Sequence, residues 1–105
     1  MPNYLITYLG GNQPSNPEEG KKNYAKYMEW INSLGDSAVS PMNPIKNTNT
    51  VNPDGSITHG SRIAMSGYTI IKAESIEAAN EIAKACPFLE IGGSLEISEI
   101  IEMGG

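Results

Sequence analysis

The chain has 105 residues, 39% of them hydrophobic and 18% charged, with a formal net charge of −5. That length holds one modest core, residues 1–105 reading as a single domain, and the balance of apolar and charged residues is globular rather than disordered. The charge is uneven: residues 1–72 carry six basic and five acidic side chains, while residues 73–105 carry seven glutamates and only Lys84, so there is no basic patch for nucleic acid or an anionic membrane surface.

Tyr4 to Leu9 is an apolar, aromatic run stopped by Gly10-Gly11, which reads as a first strand. A polar connector with prolines follows. Glu18 and Glu19 suit a helix N-terminus, where the dipole favours negative charge. Tyr24, Tyr27, Met28, Ile31 and Leu34 then recur at three- and four-residue steps, one face of an amphipathic helix, with Gly35 as its C-terminal stop. Ser37 to Met42 reads as a second strand, with Pro41 and Pro44 pointing to an edge.

Residues Asn43 to Met65 are rich in Asn, Thr, Pro and Ser. A connection this long within a compact domain is usually functional or disordered. Pro53-Asp54-Gly55 marks a tight turn inside it, since Pro presets φ and Gly accepts positive φ, and Val51 and Ile57 can pair across that turn. Tyr68 to Lys72 is a third strand of the main series. Ser75 caps a second helix through Ile76, Ala79, Ile82, Ala83 and Cys86, and Pro87 ends it. Gly92-Gly93 is a turn. Leu95, Ile97 and Ile101 alternate with Glu96, Ser98 and Glu102 as a last strand.

The order predicts a ferredoxin-like βαββαβ protomer of the α+β class: an antiparallel sheet, two helices on one face, and an extra hairpin in the long central loop. Along the first strand Tyr4, Ile6 and Tyr8 point one way, and Leu5 and Leu9 the other. In the strand from Tyr68, Tyr68 and Ile70 oppose Thr69 and Ile71. Two helices cover only one of these apolar faces, so a homodimer is expected to cover the other. The space so enclosed is where a ligand would be sought.

Several segments in this order resemble the YCII-related (DGPF-type) family of dimeric α+β barrel proteins. They are Tyr4-Leu-Ile-Thr-Tyr-Leu9, Met28-Glu-Trp-Ile31, Asn43-Pro44, Val51-Asn-Pro-Asp-Gly55 and Ser66-Gly-Tyr-Thr-Ile70, then Ala73-Glu-Ser-Ile-Glu-Ala-Ala79, Ala85-Cys-Pro87 and Gly92-Gly-Ser-Leu-Glu96. The resemblance implies a ferredoxin-like protomer, a dimer, and a cleft between the sheet and the long loop. A minority of the family resemble enzymes acting on lactones or halogenated ring-cleavage products. This chain departs from the family at His59-Gly60-Ser61, where members commonly carry Asp-Gly-Pro, so no catalytic role is carried over from that aspartate.

His59 is the only histidine, the residue type that ordinarily titrates near neutral pH, so it is the candidate acid or base. Asp54 could orient its ring, and Arg62, the only arginine, could clamp a small anionic organic ligand through its planar fork. Each also has a plainer reading: an exposed loop histidine, a surface arginine and a turn aspartate. Tyr8, Tyr27, Trp30 and Tyr68 could line an aromatic pocket or pack the core. Trp30 falls one step off the apolar stripe of its helix, which favours the pocket or an interface. Glu96 and Ser98 are ligand contacts if their face looks into a dimer cavity, and solvated otherwise.

Cys86 falls on an apolar helix face in the last turn, where the dipole raises a thiol pKa, so a core role is expected. Gly104-Gly105 is read as a plain terminus rather than a conjugation tail. No cofactor fingerprint or metal motif is present, and none is expected. The single cysteine excludes an internal disulfide, no apolar run is long enough to span a bilayer, and Met1-Pro2-Asn3-Tyr4 lacks a signal-peptide layout. A cytoplasmic setting is expected. Two functions fit: a dimeric small-molecule-binding domain, or a cofactor-independent enzyme of isomerase, lyase or dehalogenase type with His59 moving a proton.

Overall fold

The computed structural model describes residues 1–12 and 15–102, so the Gly104-Gly105 pair lies outside the described residues. The elements run β1 (Asn3–Gly10), α1 (Pro17–Leu34), β2 (Ala38–Pro44), β3 (Asn49–Val51), β4 (Ile57–His59), β5 (Met65–Lys72), α2 (Ile76–Lys84) and β6 (Gly93–Glu99). The main sheet has the order β2-β5-β1-β6 with every pair antiparallel, and β3 and β4 form a separate hairpin. This is the expected ferredoxin-like α+β protomer.

Local chemistry sets the helix ends. The Asn16 side chain accepts the Glu19 N–H at 2.8 Å, and the Glu19 carboxylate takes the Ser15 N–H at 3.3 Å in return. The first bond satisfies a donor that the first helical turn leaves free, and the second pins the residue ahead of the cap. Pro17 follows the cap, where its missing N–H costs nothing. At α2 the Ser75 hydroxyl accepts the Ala78 N–H at 3.1 Å.

The buried stripe of α1 is rotated from the expected one. Trp30 and Ile31 are buried, Tyr27 and Leu34 pack beside them, and Tyr24, placed on the apolar face by spacing alone, is 57% exposed. Burying an indole gains more than burying a phenol ring, and the Trp30 N–H is not left unpaired: it donates to the Ile82 carbonyl at 3.1 Å. This bond ties α1 to α2. On α2, Ala79 and Ala83 are buried, so the backbone can lie close to the sheet.

Strand register separates two faces. Tyr4 lies opposite Ile71, Ile6 opposite Thr69 and Tyr8 opposite Gly67, while across the other edge Ile6 meets Ile97 and Tyr8 meets Leu95. These residues form the helix-covered core. The alternate residues Leu5, Thr7, Leu9, Tyr68, Ile70, Glu96 and Ser98 share the face without helices, because successive strand side chains point to opposite sides.

Two strand ends differ from expectation. β2 continues through Pro41 to Pro44, which an edge strand tolerates, and its register shifts between Ser40 and Asn43. β6 stops at Glu99, and Ile101, expected on that strand, is 75% exposed. The Ile100 N–H donates to the Asn3 carbonyl at 2.8 Å, but the residue before Asn3 is Pro2, which has no N–H to extend the ladder and whose carbonyl accepts the Ala73 N–H on the other side. No helix among the described residues is long and apolar enough to cross a membrane.

Candidate functional site

Three hydroxyls meet between α1 and the sheet. Tyr8 comes from β1, Tyr27 from α1 and Thr69 from β5. The Tyr8 hydroxyl is hydrogen-bonded to both of the others, and Tyr27 and Thr69 are 2.9 Å apart. Thr69 donates to the Pro41 carbonyl at 2.8 Å, and Tyr27 reaches the same oxygen at 3.2 Å. That carbonyl lies where β2 shifts register, so the irregular edge strand supplies the network's terminal acceptor. Burial raises the Tyr8 and Tyr27 phenols above their ordinary range, so both stay neutral and can donate.

The network fixes two rings. Tyr8 and Tyr27 meet edge to face with centroids 5.9 Å apart, and the Phe88 ring lies 5.1 Å from that of Tyr8, tilted by 52°. Phe88 belongs to the one-and-a-half-turn helical segment Pro87–Ile91. A Cβ on Gly93 would stand 2.1 Å from the Phe88 ring, and one on Gly11 would stand 2.8 Å away. These glycines therefore do more than turn the chain. They give the Phe88 ring a flat bed.

Around these rings is a pocket of ≈200 Å³, lined by Tyr8, Tyr27 and Phe88 on one side and by Met42, Asn43, Pro44, Ser66 and Gly67 on the other. Its surface is almost entirely carbon, because the phenol oxygens turn inward to Thr69 and Pro41. No lining residue is charged. A second hollow of ≈180 Å³, bounded by Asn23, Tyr27, Pro87, Phe88 and Ile91, lies across the same two rings. Cys86 is buried beside Tyr8, and burial pushes its thiol up to about 11.

The other residues named from sequence are dispersed. His59 ends β4, exposed, with Nδ1 2.9 Å from Asn49 Oδ1. It shares a shallow polar hollow of ≈190 Å³ with Arg62, Thr50, Asn52, Thr58, Gly60 and Ser61. No aromatic residue lines that hollow. Asp54 accepts from the Ser56 N–H at 2.9 Å and from its hydroxyl at 2.6 Å, and these bonds hold its carboxyl below the usual range. Its oxygen is engaged in the hairpin turn, not with His59. Tyr68, Glu96 and Ser98 share the uncovered sheet face, opposite to Tyr8. Trp30 stacks near Tyr27, with centroids 5.5 Å apart, inside the core. Among the described residues no three of His, Cys, Asp and Glu gather as a metal ion would require.

Thr69, Phe88, Gly67 and the Met42–Pro44 wall were not singled out from sequence. Thr69 carried a faint signal, as a polar residue at an inward position of an apolar strand. Phe88 carried none, since its place depends on Gly11 of a distant segment and on how the chain returns at Gly93.

No curated protein is significantly similar to the chain. Among solved structures, 5-chloro-2-hydroxyhydroquinone dehydrochlorinase (TftG) from Burkholderia phenoliruptrix AC1100, in complex with 2,5-dihydroxybenzoquinone, superposes with a TM-score of 0.60 at 17% identity, over 97% of this chain and 95% of that one. At that identity the likeness is one of fold. The model of the YCII-related domain matches residues 4–104, nearly end to end, and the chain belongs to the YCII-related family.

Proposed function

We propose that the protein is a dimeric binding domain for a small, neutral, ring-shaped molecule, held in the pocket of Tyr8, Tyr27 and Phe88. The carrying observation is the pocket itself: three aromatic rings of fixed orientation around ≈200 Å³ of uncharged, carbon-lined space. Apolar cavities of roughly 150 Å³ accept a benzene ring. The pocket is therefore of single-ring size and below the 300 Å³ or more of larger ligand sites. A charged ligand would lose hydration there without gaining a partner, which favours a neutral one over the anion that Arg62 suggests. The quinone carried by the dehydrochlorinase of this fold is likewise a single ring. The dimer half of the reading rests on the uncovered sheet face, where Leu5, Leu9, Tyr68 and Ile70 lie together.

Phenol is a direct probe, read by the fluorescence of Trp30, the chain's one tryptophan, whose ring is 5.5 Å from that of Tyr27. Saturable binding is expected, weakened about tenfold or more by Phe88→Ala, with benzoate binding more weakly than phenol. Phenol binding that Phe88→Ala leaves unchanged would overturn the assignment of the site.

A second reading is a cofactor-independent enzyme in which His59 moves a proton and Arg62 holds an anionic substrate. It is supported by the hollow that these two residues share and by the Asn49 contact that orients the imidazole. Chloride release from 5-chloro-2-hydroxyhydroquinone, abolished by His59→Gln, would establish it. Release unaffected by that change would remove His59 from the chemistry.

A further inference from the structure

The β3–β4 hairpin stands away from the body. Among the described residues every side-chain hydrogen bond of residues 49–60 ends within the hairpin: Thr50 on Gly60, Asn52 on Ser56 and Thr58, Ser56 on Asp54, and His59 with Asn49. The radius of gyration is 15.1 Å, against about 13 Å for a compact chain of this length. The molecule is a slab of 47 × 43 × 18 Å. Its thickness is that of one sheet and one helix layer, so the hairpin extends within the plane of the slab instead of folding over either face.

A two-stranded hairpin alone in water is marginally stable. This one also carries apolar side chains that the described residues leave mostly in water. Val51 and Ile57 are directly paired on one face of it, 70% and 64% exposed, and Ile63 at its base is 54% exposed.

We propose that this hairpin is an arm that packs its Val51–Ile57 face on a second copy of the chain. The proposal rests on the dimer reading above and adds to it where the second half of the contact lies. Symmetry and charge point to the occupant. When two uncovered sheet faces stack about a two-fold axis, each in-plane arm lies beside the partner's slab and adds contact from both protomers. Charge agrees. The connection carries Lys46 and Arg62 against the one carboxylate of Asp54, on a chain whose net charge is −5, so arm and partner body attract.

Sedimentation equilibrium of the full chain tests this. The double variant Val51→Asp, Ile57→Asp changes only exposed positions, and circular dichroism should show an unaltered fold. The expected result is a dimeric wild type and a dimer dissociation constant raised about tenfold or more in the variant, with Ile57→Leu keeping the wild-type value. A dimeric wild type whose constant the double variant leaves unchanged overturns the arm and leaves the sheet-face dimer standing. A wild type that stays monomeric at 100 μM, a concentration set by the experiment and about 100-fold above a micromolar constant, overturns both. Leu5→Asp with Ile70→Asp separates the faces: it weakens the dimer if the sheet face is its centre.

Discussion

The Tyr8 and Tyr27 hydroxyls are hydrogen-bonded to each other across the α1–sheet interface, with their rings edge to face at 71°. One residue belongs to the central strand and the other to the long helix, so this pair, through Thr69, is the polar fastening of an otherwise apolar layer. Its acceptor of last resort is the Pro41 carbonyl on β2, a fourth element.

The fastening is a network, and its parts should not add. Tyr8→Phe and Tyr27→Phe are each expected to cost about 1 kcal/mol in urea unfolding. The double variant should depart from their sum by roughly 0.5 kcal/mol or more, because each change alters the partner available to the other. Strict additivity would mean that the hydroxyls act separately.

The same network makes the fold sensitive to alkali. Both phenols are raised in the folded chain, above the ordinary 10.0 that they regain on unfolding. Below pH 10 both states hold the protons and stability is unaffected. Above it the unfolded chain releases them and the folded chain does not, so stability falls with rising pH. For buried Tyr8 the slope approaches about 1.4 kcal/mol per pH unit. The half-buried Tyr27 contributes less. Melting temperatures recorded from pH 8 to 11.5 should drop above pH 10, and less steeply in Tyr8→Phe.

Cys86 should be inert while the chain is folded. Its thiol moves from 9.0 to about 11, which cuts the thiolate fraction near neutral pH about 100-fold, before its burial is counted. Alkylation by iodoacetamide at pH 7.5 should be at least that much slower than in urea. Equal rates in the two conditions would show that the residue is open to solvent.

The roots of the arm hold strained backbone. Asn47 has φ 57° and Ala64 φ 53°, both in the left-handed region, and the Ala64 carbonyl accepts the Gly10 N–H at 3.0 Å. Asparagine tolerates this region and alanine does not. Ala64→Gly is expected to stabilise by about 0.5–1 kcal/mol in chemical unfolding, the relief of strain exceeding the added chain entropy. A loss of stability would mean that the alanine methyl makes a contact worth more than the strain.

Much of the architecture was legible in the residues. Alternation along Tyr4–Tyr8 and Tyr68–Ile71 separated the two sheet faces correctly, because strand periodicity is a property of the backbone alone. Ser75 and Pro53-Asp54-Gly55 announced a cap and a turn through chemistry that acts within four residues. The rotation of α1 was not legible: Tyr24 and Trp30 lie close to the same stripe, and their exchange was decided by the Ile82 carbonyl waiting on α2.

The candidate site was legible only in fragments. Sequence grouped Tyr8 with Tyr68, which the pleat sends to opposite faces, and grouped both with His59 and Arg62, which a separate hairpin carries away. By itself the sequence determined the element order, the caps, the turn and the two-faced sheet, all consequences of local dihedral preference and periodic burial. Only the tertiary structure decided that Tyr8, Tyr27, Thr69 and the Pro41 carbonyl share one network. It alone decided that Phe88 lies on Gly11 and Gly93, because those contacts join residues whose separation along the chain leaves no periodic trace.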